Sequence, residues 1–136
     1  MHRRRHTARG FAMVEVLVAM AIFMLVGTLG IVAFGNNDRW RVASEAAEVA
    51  VFLQEARTRA LDTGRPIEIR LSAEAGVLDA GGRQYRFARA TEVSPEAARI
   101  VLDPTGRSEG LDLALRRDDQ SATVRLDWLT GRVAVE

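Results

Sequence analysis

Glu15 stands near the start of an otherwise apolar stretch, and it is the side chain whose setting most needs a chemical explanation. The segment from Arg9 to Ala19 reads RGFAMVEVLVA, with arginine before the glutamate and apolar residues around it. A carboxylate is costly inside a bilayer, although the cost is modest near the headgroups. Its chemistry is that of an anion that needs either a cationic partner or the polar edge of a membrane.

The rest of the sequence offers little catalytic chemistry. It contains no cysteine, which excludes disulfides and thiolate-ligated zinc or iron–sulfur sites. The two histidines, His2 and His6, both lie in the first ten residues, so the remainder has no histidine base or metal ligand. No Gly-x-Ser-x-Gly nucleophile elbow occurs. We therefore predict a protein that is not an enzyme and that has no catalytic residue, metal site or cofactor.

The charges divide the chain into a basic head and a mildly acidic remainder. Four of the 19 arginines lie within the first ten residues, at positions 3, 4, 5 and 9. Beyond this head the 18 acidic residues outnumber the arginines. General nucleic-acid-binding proteins usually carry a basic face. The composition therefore disfavours nucleic acid as the main partner.

A long apolar run follows the basic head. From Val16 to Phe34 the sequence VLVAMAIFMLVGTLGIVAF contains no charge, and its nineteen residues approach the ~20 that cross a bilayer as a helix. Because arginines precede the run, the positive-inside rule places the N-terminus in the cytoplasm. The remainder of the chain then lies on the other side of the membrane.

A helical pattern continues beyond the apolar run, with apolar residues at alternating spacings of four and three. These residues share one helix face: Val42, Ala46, Val49, Leu53, Ala56 and Ala60. Gly64 and Pro66 then supply a helix stop. We expect either one long helix or two helices with a break near residues 35–37.

After Gly64 the period changes to two, which predicts six or seven short strands. Turn signals separate them at Gly81-Gly82, at Asp103-Pro104-Thr105-Gly106 and at Thr130-Gly131. Ser94-Pro95-Glu96 is expected to start one helical turn. The strands need an apolar cover, which the preceding helical stripe can supply. The predicted fold is α+β, with a long N-terminal helix packed on a C-terminal antiparallel β domain.

Three interpretations of the N-terminal segment are open. In the first, it is an uncleaved signal anchor whose Glu15 lies near the headgroups. In the second, it is a secretory signal peptide that ends near Ala33-Phe34-Gly35, although the apolar run exceeds the usual 7–15 residues. The third depends on a family resemblance.

Gly10-Phe11 followed by Glu15, between a short basic head and an apolar helix, resembles the signature of type IV prepilins and type II secretion pseudopilins. The usual GFTLIE is here GFAMVE. The resemblance implies a pilin-like fold, cleavage by a prepilin peptidase between Gly10 and Phe11, and N-methylation of Phe11. It also implies that Glu15 serves filament assembly, by pairing with the new amine of a neighbouring subunit.

Further segments resemble minor pseudopilin H and its pilus relative FimT. These segments are EARTRALDTGRPIEIRL, IVLDPTGRSEGLDLAL and VRLDWLTGRV, in that order along the chain. The basic glycine-arginine-any-arginine motif that FimT-like proteins use for DNA lacks its second arginine here, because Ala134 follows Val133. The alternative function, a type IV pilus minor pilin for pilus assembly or DNA uptake, therefore ranks below secretion.

The resemblance implies four segments. Residues 1–10 are a removed leader, 11–35 a transmembrane and filament-core helix, 36–63 an amphipathic helix, and 64–136 a periplasmic β-rich domain. The expected protein is a single-pass inner-membrane minor pseudopilin of a type II secretion system, with a cytoplasmic N-terminus. Its expected partners are other pseudopilins, the prepilin peptidase and the inner-membrane assembly platform.

Overall fold

The computed structural model describes the backbone of residues 7–35 and 37–136, and the side chains of residues 12–27 and 39–136. Helix α1 (Thr7–Gly35) and helix α2 (Asn37–Thr63) are followed by eight strands. The strands are β1 (Ile67–Ser72), β2 (Val77–Ala80), β3 (Arg83–Arg86), β4 (Glu92–Ser94), β5 (Ala97–Leu102), β6 (Leu111–Arg117), β7 (Gln120–Leu126) and β8 (Val133–Val135). The chain divides into two compact units, Met1–Asn37 and Asp38–Glu136.

Helix α1 ends at Gly35 and α2 begins at Asn37, and the expected break near residues 35–37 falls at Asn36, which lies outside the described residues. Helix α2 ends at Thr63, where Gly64 takes a positive φ of 62°. Glycine adopts this left-handed conformation without the steric cost that a side chain brings. Pro66 then prevents the helix from resuming. The predicted helix stop is confirmed.

The apolar stripe of α2 forms one wall of the core of the C-terminal unit. All six predicted residues from Val42 to Ala60 are at most 1% exposed. They belong to one cluster with apolar residues of the strands, among them Ile69, Leu78, Leu113 and Val124. Because the stripe repeats every three or four residues, one helix face covers the strands along its whole length. The prediction that this stripe holds the β structure is confirmed.

The strands form two antiparallel sheets of four. The first has the order β3-β2-β1-β5 and the second the order β4-β6-β7-β8. Burial alternates along the central strands, so that Leu111, Leu113 and Leu115 of β6 are buried while Asp112 is exposed. This alternation is what a sheet with one covered face requires. The predicted α+β architecture, in which a helix covers antiparallel strands, is therefore confirmed.

The turns follow the predicted glycine chemistry. Gly81 and Gly82 join β2 to β3 with φ angles of 61° and 86°, as a two-residue hairpin turn demands. In the turn from Asp103 to Gly106, the Gly106 amide donates to the Asp103 carbonyl at 2.8 Å. Asp118-Asp119 links β6 to β7 as an exposed turn.

Two sequence predictions about one segment are wrong. Residues 94–96 do not start a helical turn, because Ser94 ends β4 and Pro95 follows it through a cis peptide bond. The period-two pattern also fails to predict strand β4. It has only three residues, and its pairing partner is β6, with Val93 opposite Leu115. The partly buried Val93 side chain packs against the core. Tertiary pairing overrides the local serine-proline signal here.

Candidate functional site

Helix α1 contains the three residues that the sequence singles out. The backbone of Gly10, Phe11 and Glu15 lies in this helix, which begins at Thr7. The side chain of Phe11 is outside the described residues, as are residues 1–6 of the basic head. The Glu15 side chain is exposed, and no cationic group among the described side chains lies within ion-pair distance of it.

The described side chains of α1 are all exposed. Over residues 12–27 the large apolar side chains have between 52% and 79% of their surface exposed. An uncovered apolar surface of this extent marks a site of contact with a membrane or another protein. A helix that is apolar on all sides is stable only when it is surrounded. The site is therefore an extended adhesive surface that carries one carboxylate.

Over the part of the chain that the structure describes, no helix is long and apolar enough to cross a membrane.

A second constellation joins two of the turn motifs to α2 in the C-terminal unit. The Arg57 Nη2 atom of α2 donates to the Thr130 carbonyl at 3.1 Å. A Cβ atom added to Gly131 would lie 1.9 Å from the Gly106 carbonyl oxygen and 2.8 Å from Arg57 Nε. Such distances are far inside van der Waals contact, so only glycine fits at this point. We call this contact between Arg57, the 103–106 turn and the 127–132 loop the loop junction.

Asp127 organises the loop side of this junction. Its Oδ1 atom accepts hydrogen bonds from the Thr130 amide at 2.7 Å, the Thr130 hydroxyl at 2.8 Å and the Leu129 amide at 3.0 Å. The Thr130 hydrogen bonds favour the ionised carboxylate, which lowers the pKa of Asp127 below its usual value. Asp127 thus adds local contacts within the loop to the distant contact with Arg57, as expected for a structural turn.

Glu45 is a buried acid whose role the sequence pattern did not reveal. Its side chain is only 7% exposed. It accepts a hydrogen bond from the Ala88 amide at 2.7 Å and another from the Thr91 hydroxyl. It thereby ties α2 to the loop between β3 and β4. Its partners lie more than 40 positions away, and no local signal in the sequence could have identified them.

No group of three or more His, Asp or Glu side chains among the described residues could hold a metal ion. Arg132 of the shortened glycine-arginine motif is exposed at the 127–132 loop. It follows Gly131, whose conformation is explained by the close contact with Gly106.

Comparison with known proteins links this arrangement to pilins. Residues 5–31 match the prokaryotic N-terminal methylation motif. The chain is 28% identical over 141 aligned residues to type II secretion system protein H of Xanthomonas campestris pv. campestris, and the alignment covers 95% of this chain and 83% of the relative.

The fold resembles that of a solved minor pilin. The crystal structure of the type IV minor pilin FimU of Pseudomonas aeruginosa matches with a TM-score of 0.59 and 20% identity, covering 73% of this chain and 90% of FimU. A second crystal form of FimU gives a TM-score of 0.57 at 17% identity. Pilins and pseudopilins are structural subunits and not enzymes. The chain thus has a fold similar to that of a minor pilin, carries a prokaryotic N-terminal methylation motif, and is similar to type II secretion system protein H over most of its length.

Proposed function

We propose that this chain is a minor pseudopilin of a type II secretion system, a subunit of the periplasmic pseudopilus that helps to export folded proteins across the outer membrane. The observation that carries the proposal is the methylation motif joined to a chain-long similarity to a type II secretion protein H. The exposed apolar surface of residues 12–27 supports it, because that surface needs partners from outside the chain.

The proposed maturation begins with the prepilin peptidase. It cuts between Gly10 and Phe11, removes residues 1–10 and leaves an N-methylated amine on Phe11. Residues 11–35 first anchor the subunit in the inner membrane, with the C-terminal unit in the periplasm. The assembly platform then moves the subunit into the pseudopilus, where other pseudopilins surround the same apolar helix.

Glu15 acts in assembly under this proposal. Cleavage creates a cation on Phe11, four residues before the carboxylate. Each charge is costly alone in an apolar environment. The loss of one partner of a buried pair costs more than the pair contributes, so pairing between subunits selects one register. The carboxylate has no cationic partner among the described side chains, which leaves it available to a neighbouring subunit.

The intact mass of the protein isolated from its own cells tests the processing step. We expect the loss of residues 1–10 and the gain of one methyl group on Phe11. A chain that begins at Met1 or Asn36 would contradict the prepilin interpretation. A chain that begins at Met1 would indicate an uncleaved signal anchor, and a chain that begins at Asn36 would indicate a secretory signal peptide.

Glu15→Ala tests the assembly role. We expect normal cleavage and methylation, because the scissile bond is unchanged, but a marked loss of cross-linking to other pseudopilins and of secretion. Glu109→Ala is the matched control, since Glu109 is an exposed acid of the C-terminal unit with no hydrogen bond among the described residues. Normal cross-linking and secretion in Glu15→Ala would refute the role of this carboxylate.

A type IV pilus minor pilin is the second candidate, because the fold matches that of the minor pilin FimU. The two candidates differ in genetic context and in DNA binding. Neighbouring genes for a secretion ATPase and secretin support the first, and pilus or competence genes the second. Salt-sensitive DNA binding by the full chain would favour uptake. We expect little binding, since the acidic residues outnumber the arginines beyond residue 10.

A further inference from the structure

The first turn of α2 presents a tryptophan between two arginines. Trp40 is 70% exposed, and both Arg39 and Arg41 are exposed. Within the described part of the chain, the indole makes no ring contact and neither arginine makes an ion pair. Tryptophan concentrates at membrane interfaces, where its ring lies at the headgroup level, and long arginine side chains extend towards the same layer.

Arg41 also lines an open cleft in the C-terminal unit. The cleft has a volume of about 350 Å³, and its lining residues are Arg41, Ser44, Glu45, Glu48, Tyr85, Arg86, Ala88 and Arg117. Three of them are arginines, contributed by α2 and by the ends of β3 and β6. None of the three forms an ion pair with a described residue. We call these three arginines and the cleft they line the basic cleft.

Both carboxylates of the cleft already have partners inside the protein. Glu45 accepts hydrogen bonds from the Ala88 amide and the Thr91 hydroxyl. Glu48 accepts a hydrogen bond from the Tyr85 hydroxyl at 3.0 Å. Three guanidinium groups and two carboxylates line the cleft, no ion pair joins them, and the cleft keeps an excess of one positive charge. Guanidinium groups bind phosphate through paired hydrogen bonds, which makes a phosphate the anion best suited to this site.

The short separation along the chain between α1 and Trp40 indicates a source for that phosphate. Trp40 follows Gly35, the last residue of α1, by five positions, a distance of at most ~18 Å even for an extended chain. If the apolar segment lies in the inner membrane, Trp40 and Arg41 remain within reach of the headgroup layer. This step rests on the proposed function.

We propose that Arg39–Arg41 and the basic cleft form an interfacial anchor that binds the phosphate of an anionic phospholipid headgroup. The anchor holds the C-terminal unit of the waiting subunit against the bilayer surface. Assembly into a filament must break this contact, since the subunit leaves the membrane. The proposed ligand is thus a lipid of the same membrane that holds α1.

Single-tryptophan variants of the full chain in lipid nanodiscs test the position of Trp40. Trp128→Phe leaves Trp40 as the reporter, and Trp40→Phe leaves Trp128, which is similarly exposed at 62%. We expect acrylamide to quench Trp40 about twofold less than Trp128, because an interfacial indole is shielded by lipid. Brominated lipid should quench Trp40 and not Trp128. Equal behaviour of the two tryptophans overturns the anchor.

Lipid charge tests the basic cleft. In nanodiscs that contain phosphatidylglycerol, Trp40 should be better shielded than in pure phosphatidylcholine. The variant Arg41→Gln/Arg86→Gln/Arg117→Gln should lose this difference. A matched control variant removes the same charge from three exposed arginines elsewhere, through Arg65→Gln, Arg107→Gln and Arg132→Gln. This control should keep the difference in Trp40 shielding between the two lipids.

Three results would overturn the headgroup proposal. One is shielding that does not depend on phosphatidylglycerol. Another is an equal loss of shielding in both triple variants, which would mean that the shielding depends on the net charge of the protein and not on the basic cleft. The third is release of the shielding by inorganic phosphate, which would make the site a binder of free anions. A chain that does not remain in the nanodisc contradicts the proposed function itself, whereas a retained chain with an exposed Trp40 contradicts only the anchor.

Discussion

The two helices of this chain place their apolar side chains in opposite environments. In α2 the six residues of the apolar stripe, the first of them Val42 and the last Ala60, are buried against the strands. In α1 every described side chain, from residue 12 to residue 27, is exposed. The difference follows from the sequence, because α2 alternates apolar and polar faces while α1 is apolar on all sides.

This contrast separates what the chain supplies for itself from what it requires from outside. The C-terminal unit contains both the stripe of α2 and the two sheets that the stripe covers. The apolar surface of α1 has no such cover among the described residues. Substitutions in α2 should therefore change the stability of the isolated chain, and those in α1 should change its association with lipid or with other subunits.

A matched pair of leucine substitutions tests this contrast most strongly. Leu53→Ala removes a fully buried side chain from the core, and we expect a loss of about 2–5 kcal/mol in the free energy of unfolding. Leu17→Ala removes the same atoms from a side chain that is 63% exposed, and the change should stay within about 0.5 kcal/mol. Urea unfolding of the full chain in detergent micelles, followed by Trp128 fluorescence, measures both.

In assembly we expect the opposite order, with a larger effect of Leu17→Ala than of Leu53→Ala. Leu17→Ala should weaken cross-linking to partner subunits, because apolar contact between helices is lost. Two leucines with equal effects on unfolding would contradict the division between the helices.

A glycine at the loop junction should show the next largest effect. Gly131→Ala places a Cβ atom 1.9 Å from the Gly106 carbonyl oxygen, in a backbone with a φ of 62°. Both the left-handed conformation and the steric overlap are unfavourable. We expect Gly131→Ala to be less stable than a control with the same φ by about 1–3 kcal/mol, which is the cost of overpacking. The melting temperature of each full-length variant in micelles reports the difference.

Gly64→Ala is the control, because Gly64 has the same φ of 62° and open space where the Cβ would be. It should show only the backbone cost of about 1–2 kcal/mol. Gly27→Ala extends the test to α1, where a Cβ would meet nothing within 4 Å. It should not destabilise the chain. If Gly131→Ala and Gly64→Ala have the same melting temperature, the loop junction accommodates a Cβ atom that its geometry should exclude.

Local periodicity made most of the fold predictable. The α2 stripe, its stop at Gly64 and seven of the eight strands follow from spacings of three, four and two residues and from glycine turns. Strand β4 could not be found in this way, since Glu92–Ser94 is too short to alternate and precedes a proline. It exists because Val93 pairs with Leu115 of β6 and packs on the core.

The candidate sites also differ in whether a short sequence pattern reveals them. Gly10, Phe11 and Glu15 are recognisable from residue types and short spacings, and their roles stay predictions. The loop junction joins Arg57 to Thr130, which are 73 positions apart. Each of its motifs indicates only a local turn or helix end. Their contact depends on packing between distant segments, which no short pattern in one sequence encodes.

The smallest expected effect is at Asp127, a half-buried carboxylate that can be compared with the exposed Glu15. Asp127 accepts three hydrogen bonds from its own loop, whereas Glu15 has no cationic partner among the described side chains. The Thr130 donors lower the pKa of Asp127, so the ionised form stabilises the folded loop. This contribution is complete above the unfolded pKa of about 3.9, and it is lost as the pH falls through the lower folded pKa.

Asp127→Asn should therefore lower the melting temperature slightly at neutral pH, and its difference from the parent chain should close on acidification. Asp119→Asn is the control, since the Asp119 carboxylate makes no hydrogen bond to a described residue, and it should match the parent chain at every pH. Thermal unfolding of the three proteins across the acid range measures the effect. A difference that persists or widens below the usual aspartate pKa would mean that the loop depends on the shape of the side chain and not on its charge. In that case Asp127 would act through its shape, as Gly131 does in the same loop.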